Sequence, residues 1–145
     1  MSKRYSACIK SFLYIFLISL LVLSVSSAYA NEMCSRGAKN LRGDNEVIQG
    51  RGGLWSYMEQ SGLNDHSMIG MQIDGKLQRA VVIFETMCEE GKIPSMETFK
   101  SIENTLSEAR TIFNSNPDRT PLGKILEKIK TLNKNADALI QKIGN

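Results

Sequence analysis

The strongest constraint on this chain lies near its C-terminus. Apolar residues fall at Leu122, Ile125, Ile129, Leu132, Ala136, Leu139 and Ile143. Steps of three and four sustained through three heptads are the period of an α-helix with one buried seam. Leu126 and Ile140 widen that seam into a broader face. Such a helix needs other apolar surfaces to cover it.

Two upstream stripes supply them. Ile69, Ile73, Leu77, Ala80, Phe84, Met87 and Cys88 share one helical face, and so do Met96, Phe99, Ile102, Leu106, Ala109 and Phe113. Punctuation separates the three segments. Asn64 or Asp65 is a candidate cap for the first. Gly91 is suited to a left-handed end, and Pro94 prevents resumption. Ser95 caps the second, with Glu97 in its first turn, and Asn114-Ser115-Asn116-Pro117 closes it. Thr120 caps the third with Pro121 at the first helical position. Ala80-Val81-Val82-Ile83-Phe84 is the one β-branched cluster, and it continues the helical spacing on both sides. Short connections place successive helices antiparallel. The expectation is an all-α, up-down bundle of three long helices over about 65–90, 95–115 and 121–143.

Residues 31–63 read differently. Gly37, Gly43, Gly50, Gly52 and Gly53 fall among scattered apolar residues, and glycine costs about 1 kcal/mol in a helix interior. The segment is expected to be irregular, with a start of helix near Asp44 and a short helix over 54–61 ended by Gly62. Leu54, Trp55 and Met58 would supply a shorter fourth helix or lid.

Residues 1–30 read as a removable signal peptide. Lys3, Arg4 and Lys10 form a basic head, Ser11–Val25 is an apolar run of fifteen residues, and Ala28-Tyr29-Ala30 offers a cleavage site. The run is shorter than the ~20 residues a spanning helix needs, so no stable membrane insertion is expected once the leader is removed. The three domains of the reading are therefore a leader (1–30), a glycine-rich segment (31–63) and a helical bundle (64–145). Export, to the periplasm or outside the cell, brings Cys34 and Cys88 into an oxidising compartment where two thiols close into a disulfide. Closing a loop of 55 residues is worth about 4 kcal/mol in the chain-entropy picture.

The formal charge of +3 resides entirely in that leader: residues 31–145 hold 15 basic and 15 acidic side chains. A neutral chain argues against a nucleic-acid binder. Familiar catalytic patterns are missing as well. His66 is the only histidine, and no G-x-S-x-G, H-E-x-x-H, EF-hand, P-loop or C-x-x-C-H run occurs. Gly50-Arg51-Gly52-Gly53 lacks the Lys-Ser/Thr of a phosphate loop and reads as a flexible loop. Glu85, Glu89 and Glu90 sit at a helix end, where acids are commonly solvated.

No cofactor and no enzymatic activity are expected. The leading expectation is an accessory, adaptor or inhibitor that works by contacting another protein. Candidate contact residues are the aromatic pair Trp55 and Tyr57 and the basic side of the last helix, with Lys124, Lys128 and Lys134. Trp55 beside Leu54 and Met58 also suits a core plug. The alternative is a small-ligand or Cu(I)-type carrier, since thioethers and imidazole suit a soft metal and His66, Met68 and Met71 cluster at a helix start. The three-heptad seam fits an intramolecular bundle and a homodimer equally well.

Overall fold

A computed structural model describes residues 31–144, and the expected export segment lies outside the described residues. All regular structure among them is helical. The five helices are α1 (Ala38–Gln49), α2 (Gly53–Gln60), α3 (Ser67–Glu89), α4 (Met96–Phe113) and α5 (Leu122–Ile143).

The three long helices follow their stripes. Ile73, Leu77, Ala80 and Phe84 of α3, Ile102, Leu106 and Ala109 of α4, and Ile125, Ile129, Leu132, Ala136 and Leu139 of α5 are all buried. Fully burying one Leu or Ile is worth about 1.5–3 kcal/mol, so these faces dominate the stability of the fold. The α3 helix ends at Gly91 with φ +70°. There the Lys92 N–H donates to the Met87 carbonyl at 2.8 Å and the Gly91 N–H to Cys88 at 3.1 Å, the paired bonds of a left-handed helix end. Ser95 caps α4, its hydroxyl oxygen accepting the Thr98 N–H at 3.1 Å.

Two helix starts differ from expectation by a residue or two. Neither Asn64 nor Asp65 caps α3; Asn64–His66 instead form a 3-10 turn, with the His66 N–H donating to the Leu63 carbonyl. At α5 the cap position is Pro121 rather than Thr120, and its carbonyl receives the Lys124 and Ile125 N–H groups.

The main correction concerns residues 31–53, expected to be irregular. A π-helical turn over Met33–Gly37 runs directly into α1. Met33, Gly37, Leu41, Asn45 and Ile48 are buried at intervals of three and four, and an asparagine and a glycine inside that stripe conceal its period. Gly37 is small for a reason: a Cβ there would stand 2.8 Å from the Phe99 ring. The glycine lets α1 approach α4 closely, and tertiary burial outweighs its poor helix propensity.

Side-chain pairings give the directions. Cys34 joins Cys88, Arg42 meets Glu85, Asn45 meets Gln78 and Gln49 meets Asp74, so α1 runs antiparallel to α3. Asp44 pairs with Arg110, and Gly37 packs on Phe99, so α1 runs parallel to α4. Lys142 pairs with Glu97, and Asn135 with Glu108, so α5 runs antiparallel to α4. Lys76 reaches Asn133 and Asp137, which places α5 beside α3. The result is a four-helix bundle in which α1 and α5 flank the α3–α4 pair on opposite sides, while α2 packs mainly on α3. The expected up-down alternation holds along the chain, and α1 is the additional member.

The Cys34–Cys88 disulfide is formed, with Cα atoms 5.5 Å apart. It ties the π-helical turn to the last turn of α3.

Candidate functional site

Antiparallel packing of α4 and α5 leaves an open groove of about 540 Å³ along the C-terminal half of α4 and the N-terminal half of α5. Its floor is apolar: Ile112 from α4 and Leu132 from α5, 3% and 1% exposed. Thr111 and Thr131 line it as well. Their hydroxyls donate to carbonyls of their own helices, at Ser107 and Glu127 respectively. Their polar atoms are thus already satisfied.

The rim carries charge. Lys124 and Lys128 stand one turn apart on α5, with Glu127 on the same helix and Glu108 opposite on α4. Glu108 accepts a bond from the Asn135 side-chain amide at 2.9 Å. Lys124 and Lys128 are exposed and take part in no ion pair among the described residues. Farther along the same helix pair Lys142 does hold Glu97, at 2.6 Å, and lowers the carboxyl below its ordinary range by hydrogen bond and charge. Two of the three lysines singled out from sequence therefore meet at the groove. Lys134 is exposed but lies outside its lining. Ile112, Thr111 and Glu108 escaped sequence reading because a groove is a property of two crossing helices, and neither stripe alone marks it.

The aromatic pair is divided between surface and interior. Trp55 is 37% exposed. Tyr57 is half-buried, its hydroxyl donating to the Ser115 carbonyl at 3.1 Å and its ring 5.9 Å from that of Phe113. It joins α2 to the end of α4.

The glycine-rich stretch before α2 is docked, contrary to the flexible loop expected. Gly52 and Gly53 have φ of +89° and +72°, a conformation in which L-residues other than glycine are strained. The turn aims the Leu54 and Trp55 N–H groups at the Asp74 carboxylate of α3, at 2.9 and 3.1 Å. One side chain thereby satisfies two of the N–H groups that every helix start leaves free. Burial raises the Asp74 carboxyl above its ordinary value, outweighing the bonds from Leu54, Trp55 and Gln49 that work the other way. Gly70 completes the joint, because a Cβ there would lie 2.7 Å from the Trp55 nitrogen.

His66 is half-buried in the 3-10 turn, while Met68 and Met71 are 60% and 48% exposed on the first turns of α3. Residues three apart share a helix face, so the two side chains leave α3 on the same side. No group of three His, Cys, Asp or Glu side chains positioned for a metal ion occurs among the described residues. Glu85 is not merely solvated, since it accepts a bond from Arg42 at 2.7 Å.

No protein-family model matches the chain, and comparisons with curated proteins and with solved structures return no match.

Proposed function

We propose that this chain is an exported, non-enzymatic helical-bundle protein that acts by binding another protein along the α4–α5 groove. The observation carrying this reading is an apolar floor beside two lysines that have no ion-pair partner among the described residues. Buried apolar contact supplies affinity at such surfaces, and rim charges guide encounter and register. The Cys34–Cys88 bond is compatible with an oxidising compartment. No helix of the described residues is long and apolar enough to cross a membrane.

A photo-crosslinking amino acid at Thr131 or Lys128, compared with one at Lys39 on α1, tests the reading in cells that export the protein. One protein adduct formed from the groove positions and absent from Lys39 supports it. Equal labelling from both faces, or no adduct from either groove position, overturns it.

A second reading takes the exposed Met68 and Met71 as soft-metal ligands with His66. Cu(I) titration against a competing chelator checks it, with loss of binding expected in M68L/M71L. Equal binding by that variant would contradict it.

A further inference from the structure

We infer that the Cys34–Cys88 disulfide is a redox latch, and that its reduction releases residues 31–49 from a bundle that otherwise stays folded.

Apart from that bond, the segment is held to the bundle by fewer buried side chains than the long helices are. Its buried apolar side chains in the core are Met33, Leu41 and Ile48, against five each on α3 and α5. Gly37 against the Phe99 ring and the partly buried Ala38 add apolar contact, and the other side-chain contacts are polar. Arg42–Glu85 and Asp44–Arg110 are ion pairs with side chains from 17% to 59% exposed, a class that contributes little in water. Between them the Asn45 amide donates to Gln78, while the buried Asn45 Oδ1 has no hydrogen-bond partner among the described residues. An orphaned buried oxygen opposes closure of the interface and favours its opening.

The two ends of the segment are held differently. At the C-terminal end Gly50, Gly52 and Gly53 form a turn, after which Leu54 and Trp55 are anchored on Asp74. Those two bonds lie beyond the segment, while Gln49 within it donates to the same carboxylate at 3.4 Å. At the N-terminal end the fixed point is the disulfide. Cys34 and Cys88 are half-buried and line an open surface pocket of about 250 Å³ with Lys39, Arg42, Glu85 and Glu89. A thiol reductant in solution therefore has a route to the sulfurs.

The reaction is thiol–disulfide exchange with a dithiol. One thiolate of the reductant bonds to one cysteine sulfur, and the S–S electron pair leaves on the other, which takes a proton. The reductant's second thiolate then displaces the first cysteine. Two electrons pass to the protein, Cys34 and Cys88 end as thiols, and the reductant ends as a disulfide. Departure of α1 uncovers the part of α3 and α4 on which it lies, including Phe99, whose ring sits against Gly37.

Hydrogen exchange on residues 31–145 tests this, comparing the oxidised protein, the protein reduced with dithiothreitol, and C34S/C88S. Reduction is expected to lower protection over 41–49 by about a hundredfold or more, and by at least about tenfold more than over 125–139. The variant should match the reduced protein without reductant. Unchanged protection at 41–49 would overturn the inference, because α1 would then stay docked unaided. Parallel loss in both segments would overturn it equally, because the bundle would then open as one unit.

Discussion

Gly70 and Gly75 lie five residues apart in α3, yet alanine at these positions should act in opposite directions. A glycine in an exposed helix interior is about 0.5–1 kcal/mol worse than alanine. At Gly75 a Cβ would meet nothing within 4 Å, so Gly75→Ala should raise stability by about that amount. At Gly70 it would stand 2.7 Å from the Trp55 nitrogen and 2.8 and 2.9 Å from the Leu54 carbonyl carbon and oxygen. These are backbone atoms and cannot rotate aside. Forcing α2 away costs about 1–3 kcal/mol as overpacking, and moving Leu54 and Trp55 weakens their bonds to Asp74. After subtracting the propensity gain, Gly70→Ala should lose about 1–2 kcal/mol. Urea unfolding followed by fluorescence of Trp55, the single tryptophan, gives both values. At an m-value of about 1–3 kcal/mol/M, the Gly70→Ala midpoint should fall by roughly 0.3–2 M. Equal gains at the two positions would refute close packing of α2 on α3.

Truncating the fully buried Leu106 or Ile129 to alanine should cost about 2–5 kcal/mol by urea unfolding. Asp74→Ala leaves the Leu54 and Trp55 N–H groups without their acceptor and should cost about 1–3 kcal/mol in the same assay. Asp74 also predicts a pH dependence. Its folded carboxyl holds a proton more tightly than the unfolded one, so its contribution is full below the ordinary aspartate range and declines as pH rises through the raised value. The stability of the protein relative to Asp74→Asn should fall with rising pH across that window, and a rise would contradict the assignment. Replacing Asn45 and Gln78 together by leucine removes the orphaned oxygen and should leave stability unchanged or higher, whereas Gln78→Ala alone should lower it.

The long helices were legible because period and punctuation agreed. Ser95 and Gly91 mark ends whose bonds are local, and the seam from Ile125 to Leu139 faces one way. Residues 31–49 were not legible, because the signal there is tertiary. Gly37 reads as a breaker until Phe99 is set against it, and Asn45 interrupts the stripe of Leu41 and Ile48 until Gln78 faces it. The docked turn at Gly52-Gly53 was hidden likewise, since its partner Asp74 lies twenty residues away from Leu54 in sequence. Lys124 and Lys128 were visible as unbalanced charge on an amphipathic helix. The floor beneath them required α4 in place.

Isotope-filtered methyl NOE spectroscopy at concentrations where the chain is monomeric tests the bundle most directly. Intramolecular cross-peaks are predicted from Leu41 and Ile48 to methyl groups of α3 or α4, and from Ile129 to those of α3 or α4. Cross-peaks arising only between differently labelled copies, or none from Leu41 and Ile48, would contradict a four-helix core within one molecule.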